Sequence, residues 1–198
     1  ATTRRRVAAE GAHLVGHRLV PNSSYDYTAV IAEIARSGAQ VVVQALVGLC
    51  AIEFNRAFAA AGLEEKMLRF GLIVDETVIC GIGAEASTNL FTASSYFARH
   101  HSSYNDHFLE LYHDAYGDYA PPVSAASVGY YEGLHVLAGL AREERTLDSR
   151  QLARKVSQPL RRTHARFLLD GAGGGGHPPV FIGQADGVTL QVVASLQH

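Results

Sequence analysis

The stretch Val41-Val42-Val43-Gln44-Ala45-Leu46-Val47 decides the fold class, because it is almost wholly apolar and rich in β-branched residues. Such a run is typical of a strand that is buried on both faces of a parallel sheet. It lies between two segments, 27–37 and 50–61, whose apolar residues have helical spacing and which each end at a glycine. A strand between two helices predicts an α/β fold.

The same alternation extends outward along the chain. Apolar runs at 13–20, 70–74 and 90–96 predict further strands, and 75–83 predicts a short helix before the last of them. Strands separated by helices over residues 13–96 favour a doubly wound parallel sheet with helices on both faces.

The remaining segments add helices and a terminal hairpin. Helical patterns occur at 2–10, 103–116, 123–142 and 148–158. Near the C-terminus, Asp186-Gly187 is a strong hairpin-turn signal between two apolar runs. The glycine run at 171–176 lacks the Lys-Ser/Thr of a phosphate-binding loop, so it is interpreted as a plain loop.

Composition excludes several classes of protein. The chain has 198 residues, of which 47% are hydrophobic and 18% charged, as in ordinary globular domains. With 17 basic and 19 acidic residues the formal net charge is −2, so no broad positive field is available and no nucleic-acid partner is expected. No apolar run reaches the roughly 18 residues that a membrane span needs.

The chemistry-bearing residue types predict no covalent catalysis. The sequence contains no GxSxG elbow, no P-loop and no complete GxGxxG pattern, and His13 and His17 lack the Glu of a zinc-binding HExxH. We therefore expect neither an enzyme nor a bound cofactor or metal. Cys50 and Cys80 either pair or are two buried small hydrophobes, and the second interpretation is preferred.

Candidate ligand-binding residues lie at the ends of three predicted strands. In open parallel sheets, ligands bind at the carboxyl ends of the strands, which here carry Gly48-Leu49, Asp75-Glu76 and Ser94-Ser95-Tyr96. A glycine allows close backbone approach, an acid accepts N–H groups, and a tyrosine adds a flat wall with a hydroxyl. Asp75 and Glu76 could equally cap the helix that follows, and the two roles are compatible.

Several short motifs occur in a characteristic order along nearly the whole chain. They include Val15-Gly-His-Arg-Leu-Val-Pro21, Ala39-Gln-Val-Val-Val43, Leu46-Val-Gly48, Ser95-Tyr-Phe97 and Phe181-Ile-Gly-Gln184. Together they resemble the type I periplasmic binding proteins, in particular the receptors for urea, short-chain amides and branched-chain amino acids.

The resemblance implies a function. Proteins of this family trap a small polar solute between two Rossmann-like lobes and deliver it to the permease subunits of an ABC importer, without covalent chemistry. It implies a periplasmic protein or a cell-surface lipoprotein, with Leu49, Asp75 and Glu76 at ligand-contacting positions and Tyr96 near a hinge.

The resemblance also implies a domain organisation in which this chain corresponds to the C-terminal part of the family. The implied parts are 1–97 as the α/β core of the C-terminal lobe, 98–122 as a hinge crossing and helix, 123–160 as helices packing on an N-terminal lobe, and 161–198 as a glycine-rich loop and hairpin.

That organisation leaves one helix without its sheet. If the N-terminal lobe is missing, we expect self-association or marginal stability, because four apolar residues of the helix at 123–142 would be exposed or would need a partner, namely Val128, Leu134, Val136 and Leu137.

A second functional hypothesis uses the same fold. The chain could belong to a cytoplasmic amide-sensing regulator of an amidase operon, which would bind a similar solute but would have no permease partner. A lipoprotein signal at the natural N-terminus would favour the importer, and an RNA-binding operon partner would favour the regulator.

Overall fold

The computed structural model describes residues 2–156 and 180–196. Its helices, in chain order, are α1 (Thr2–Ala9), α2 (Thr28–Arg36), α3 (Leu49–Ala60), α4 (Glu76–Ile82), α5 (Ser103–Tyr116), α6 (Ala125–Glu144) and α7 (Ser149–Val156). The strands are β1 (Val41–Gln44), β2 (Leu68–Gly71), β3 (Leu90–Ser94), β4 (Val180–Asp186) and β5 (Thr189–Leu196), and a short 3₁₀ helix covers Ala84–Ala86.

The strands form one sheet in the order β1-β2-β3-β4-β5. β1 pairs with β2 and β2 with β3, both in parallel, with Gln44 opposite Gly71 and Gly71 opposite Thr92. Each of these parallel strands is reached through a helix, which confirms the mixed α/β class. Because the strands are parallel and in register, their carboxyl ends lie at the same edge.

The chain divides into two compact units. Within the described residues, the first unit comprises 2–74, 78–92 and 185–189, and the second comprises 75–77, 93–156, 180–184 and 190–196.

The core of the first unit lies between α2, α3 and the sheet. It is a cluster of buried side chains, namely Tyr27, Ile31, Phe54, Phe58, Leu63 and Met67. The rings of Tyr27 and Phe54 meet edge to face with their centroids 5.4 Å apart. The helical spacing predicted at 27–37 and 50–61 therefore places the apolar residues of both helices in one core.

The second unit has a separate core around α5 and α6. Tyr96, Phe108, Val123 and Val128 form its main buried cluster. Both helices begin with a side-chain cap. Ser102 Oγ accepts from the backbone N–H of Asn105 at 3.1 Å, and Ser124 Oγ accepts from the backbone N–H of Ser127 at 3.4 Å.

The predicted strand at 13–20 is wrong. These residues follow α1 without regular structure, and Leu14, Val15 and Leu19 are exposed. An apolar run becomes a strand only where a neighbouring strand satisfies its backbone groups, and none of the described strands pairs with this one. The described residues therefore contain three parallel strands before residue 97 instead of the predicted four.

The prediction that the strand at 41–47 is buried on both faces is also wrong. β1 ends at Gln44, and Val41 and Val43 are 49% and 61% exposed, whereas Val42 packs against the first core and Gln44 is buried. α2 and α3 cover only the face that carries Val42. The β-branched run therefore reflects strand propensity and one buried face, rather than two.

The next strand begins earlier than the predicted range of 70–74. β2 starts at Leu68 and includes Arg69, whose charge interrupted the apolar pattern, and it ends before Leu72 and Ile73, which are half exposed. The side chain of Arg69 is completely buried. A buried charged residue inside a strand has no signature in an apolar pattern.

On α6, the predicted exposure of Leu134 and Leu137 is confirmed, at 69% and 45%, but that of Val128 and Val136 is wrong. Val128 lies four residues before Glu132 and eight before Val136, so all three share the buried helix face. Val128 packs with Tyr96 and Phe108, and Val136 packs with Leu140 and Leu152.

Three other expectations can be compared with the structure. Cys50 and Cys80 do not form a disulfide, and Cys50 is buried as expected whereas Cys80 is exposed. The terminal hairpin is present, since β4 and β5 are separated only by Gly187 and Val188, and Gly187 has a φ of +60°. The predicted loop at 171–176 lies outside the described residues.

Candidate ligand site

The loop after β2 carries two neighbouring carboxylates with different surroundings. Asp75 is partly exposed, and its Oδ1 accepts hydrogen bonds from the Thr77 amide at 3.1 Å and from the Thr77 hydroxyl at 2.7 Å. Asp75 therefore caps the start of α4, as one of its two interpretations predicted. The cap also holds the carboxylate in one orientation.

Glu76, the next residue along the chain, is only 7% exposed. Its Oε1 accepts a hydrogen bond from the Ala98 amide at 2.7 Å, and its Oε2 is buried without a hydrogen-bond partner in the described part of the chain. Burial raises the pKa of Glu76 to about 7, the negative charge of Asp75 acts in the same direction, and the Ala98 amide and the backbone N–H of Glu76 itself oppose the shift.

Tyr96, which follows β3, is buried in the second core. Its hydroxyl donates to Oδ1 of Asn105 at 2.9 Å. Burial raises the pKa of the Tyr96 phenol, and the charge of Glu76 raises it further. Tyr96 and Glu76 thus act on each other electrostatically within the second unit.

Asn105 connects these groups and was not found from the sequence. It is 1% exposed, and its Nδ2 donates to the backbone carbonyls of Ala98 and His100, both at 2.9 Å. An asparagine on the same helix face as Phe108 and Tyr112 is the signal that could have indicated a buried polar group there.

The other two predicted site residues lie in the first unit, where β1 leads into α3. Gly48 has φ 54° and ψ −127°, a conformation that side chains with a Cβ rarely adopt. Leu49 begins α3 and is 52% exposed. Gly48 thus lets the chain turn sharply from the strand into the helix. The side chain of Leu49, just after this turn, is half exposed to solvent.

The structure brings together three of the five predicted residues. Asp75, Glu76 and Tyr96 belong to the second unit, where Glu76 and Tyr96 are buried and Asp75 is the accessible acid. Chemically, Asp75 provides an oriented anionic hydrogen-bond acceptor. Glu76, with its raised pKa, and the buried hydroxyl of Tyr96 belong to the same unit.

The chain belongs to the periplasmic binding protein family, because the model of that family, described as "Periplasmic binding protein", matches residues 1–187. No curated protein matches the chain. None of the described helices is long and apolar enough to cross a membrane.

Solved structures of the same fold include transport proteins with different solutes. An amino acid ABC transporter substrate-binding protein from Pseudomonas fluorescens Pf-5 is 13% identical with a TM-score of 0.79, and the match covers 98% of this chain and 54% of that one. A solute-binding protein from R. palustris in complex with 4-hydroxybenzoate is 17% identical with a TM-score of 0.77, and the match covers 98% and 55%.

A third structure is LivJ, a branched-chain amino acid transporter substrate-binding protein from Streptococcus pneumoniae, in complex with isoleucine. It is 15% identical with a TM-score of 0.71, and the match covers 98% of this chain and 55% of that one. The chain thus spans about half the length of the solved structures it matches.

Proposed function

We propose that this chain is part of a solute-binding protein that delivers a small polar solute to the permease subunits of an ABC importer, on the periplasmic side of the membrane. The family match over residues 1–187 carries the proposal. The described fold supports it, since the carboxyl ends of parallel strands are the usual place for ligands in such sheets. In this role the protein binds and releases the solute without changing it chemically.

We further propose that the solute carries N–H donors, as an amino acid, a short-chain amide or urea does. The support is Asp75, a partly exposed carboxylate whose orientation is set by two hydrogen bonds from Thr77. A fixed carboxylate binds an ammonium or amide N–H well and repels an anion that has no donor. Gly48 and Leu49 remain a separate proposal for ligand contact in the first unit.

The solved structures give a direct choice between two solute classes. The LivJ protein was solved with isoleucine and the R. palustris protein with 4-hydroxybenzoate. We expect the complete product of this gene to bind branched-chain amino acids, amides or urea in isothermal titration calorimetry, and to leave 4-hydroxybenzoate and benzoate unbound. Binding of the benzoates alone would contradict the proposed solute class, and binding of no member of either class would contradict the proposed function.

Asp75 can be tested without disturbing its capping role. In the variant Asp75→Asn the side-chain oxygen still accepts from Thr77, but the negative charge is lost. We expect the affinity for an ammonium-bearing solute to fall about tenfold or more, because a charge-assisted hydrogen bond becomes a neutral one. Asp118→Asn removes an exposed charge in the loop after α5 and serves as the matched control. Equal affinities of the two variants would remove Asp75 from the site.

A further inference from the structure

Side chains hold both polar groups of Ala98. Its backbone N–H donates to Oε1 of Glu76 at 2.7 Å, and its carbonyl accepts from Nδ2 of Asn105 at 2.9 Å. Residues 96–100 lie between β3 and α5 and belong to neither a strand nor a helix. Two buried side chains therefore satisfy the polar backbone groups of Ala98, which in a strand would be satisfied by a neighbouring strand. We call Glu76, Asn105 and the Ala98 backbone between them the Ala98 latch.

The two sides of the Ala98 latch differ in their chemistry. Asn105 is neutral at every pH, and its amide is fully engaged: Oδ1 accepts from Tyr96, and Nδ2 donates to Ala98 and His100. Glu76 is titratable, and only its Oε1 has a partner, while Oε2 is buried without one in the described part of the chain. Only the Glu76 side can therefore respond to protons.

The charged and titratable neighbours of Glu76 do not neutralise it. Asp75 adds negative charge from the start of α4, and Tyr96 presents a neutral phenol from the end of β3. In the segment that the latch holds, Arg99 is exposed, and the ring of His100 packs against Phe181 with centroids 4.4 Å apart. No described cation forms an ion pair with Glu76, so an ionised Glu76 is a buried charge stabilised only by backbone N–H groups.

We propose that the Ala98 latch is controlled by a proton on Glu76. The neutral carboxyl group stays in its buried place and holds the Ala98 amide. When Glu76 loses its proton to solvent, the carboxylate gains hydration by leaving that place and the hydrogen bond to the Ala98 N–H breaks, while Asn105 still holds the Ala98 carbonyl.

The size of the response follows from the same linkage. Burial raises the pKa of Glu76 from an ordinary 4.5 to about 7. Because the closed latch holds the proton more tightly than the open one, full ionisation increases the opening equilibrium by on the order of 100-fold. The change takes place between about pH 4.5 and pH 7 and levels off above pH 7. Glu76 and Tyr96 are also candidate site residues, so the latch rests in part on the proposed function, but its opening is measured without any solute and the two can be tested separately.

Hydrogen exchange of the Ala98 amide in the complete gene product, without any solute, is the direct test. Rates are measured from pH 5.5 to 8.5 and divided by the intrinsic exchange rates to give protection factors. We expect the protection of Ala98 to fall at least tenfold across this range in the natural protein. In Glu76→Gln, which keeps an acceptor but has no proton to lose, we expect protection to be independent of pH. The Leu90 amide at the start of β3, which donates to the Ser87 carbonyl, is the internal reference and is expected to keep constant protection.

Asn105→Ala separates the latch from a general loss of packing. This variant removes the hydrogen bond from Asn105 to the Ala98 carbonyl. We therefore expect the Ala98 amide to be less protected at every pH, and its protection still to fall as the pH rises. A flat profile in the natural protein overturns the proposal even if both variants fail to fold. The proposal is also overturned if Glu76→Gln shows the same fall as the natural protein.

Discussion

Each of the two units buries an ionisable side chain, Arg69 in the first and Glu76 in the second, and the two differ in how many hydrogen-bond partners surround the charge. In the first unit Arg69 lies under α3, fully buried, and donates hydrogen bonds to Oδ1 of Asn55 at 2.8 Å and to the carbonyls of Ala86 and Thr88 at 2.9 and 2.6 Å. Its guanidinium carbon also lies 4.9 Å from the centre of the Phe58 ring. In the second unit, Glu76 has one donor from another residue.

The consequence appears in the two pKa values. Burial lowers the pKa of Arg69 to about 10, which still leaves the side chain charged at neutral pH, and the charge of Glu64 opposes the shift. Burial raises the pKa of Glu76 to about 7, which leaves it partly protonated at neutral pH. A buried cation with several acceptors keeps its charge, whereas a buried anion with a single donor binds a proton.

The largest loss of stability is expected on substitution of Arg69. Replacing Arg69 by Met removes the donor from the carbonyls of Ala86 and Thr88 and from Asn55, whose Oδ1 is then left with Gln44 as its partner. We expect the free energy of unfolding to decrease by about 3–5 kcal/mol, as when one partner of a buried charged network is removed. Chemical denaturation monitored by circular dichroism measures the loss.

Arg56 provides the control for this prediction. It also donates to backbone carbonyls, those of Gly81 and Ile82, and it pairs with Glu53, but its side chain is 51% exposed. Arg56→Met is expected to cost at most about 1 kcal/mol, as for exposed ion pairs. Similar losses for the two variants would show that burial is not what distinguishes Arg69.

The second effect is a dependence of stability on pH that comes from Glu76. Between pH 4.5, where an unfolded glutamate ionises, and pH 7, the folded protein holds a proton that the unfolded chain has lost. The stabilisation is complete below pH 4.5 and is lost as the pH rises through 7, by roughly 3 kcal/mol in total. Denaturation curves at several pH values should show this decline in the natural protein and a smaller one in Glu76→Gln.

Glu110→Gln is the matched control, because Glu110 lies on α5 with 70% of its side chain exposed. This variant should keep the decline of the natural protein. If Glu76→Gln and Glu110→Gln gave the same pH dependence, Glu76 would not be the group responsible.

The smallest effect is expected at Tyr96. Tyr96→Phe keeps the ring in the second core but removes the hydroxyl that donates to Asn105. The buried Oδ1 of Asn105 loses its partner, so we expect a decrease of about 1 kcal/mol in the free energy of unfolding. A double-mutant cycle with Asn105→Ala should give a coupling energy of similar size, and additive losses would show that the two side chains do not interact.

Helices were predicted better than strands for a physical reason. The spacing of Ile31, Phe54 and Phe58 and the glycines at 38 and 62 are local signals, and α2 and α3 lie within a residue or two of their predicted bounds. A strand depends on a partner that is distant in sequence. The run at 13–20 has no such partner among the described strands, and β1 has one covered face rather than two.

The candidate site shows the same division. The position of Asp75 and Glu76 after a parallel strand follows from the alternation of elements, and the capping role of Asp75 follows from its place before α4. The surroundings of Glu76 include the N–H of Ala98, more than twenty residues later, whose carbonyl in turn accepts from Asn105 in α5. Those contacts arise from tertiary packing and have no local signature in the sequence.

The most direct test of this account is a carbon NMR titration of the Glu76 carboxyl group, identified as the signal that disappears in Glu76→Gln. A midpoint near pH 7 is the predicted result, because the buried carboxylate has one donor from another residue and no ion-pair partner in the described part of the chain. A midpoint at or below 4.5, the ordinary value for glutamate, would show that Glu76 is ionised and compensated in the folded protein. It would contradict both the comparison of the two units and the Ala98 latch.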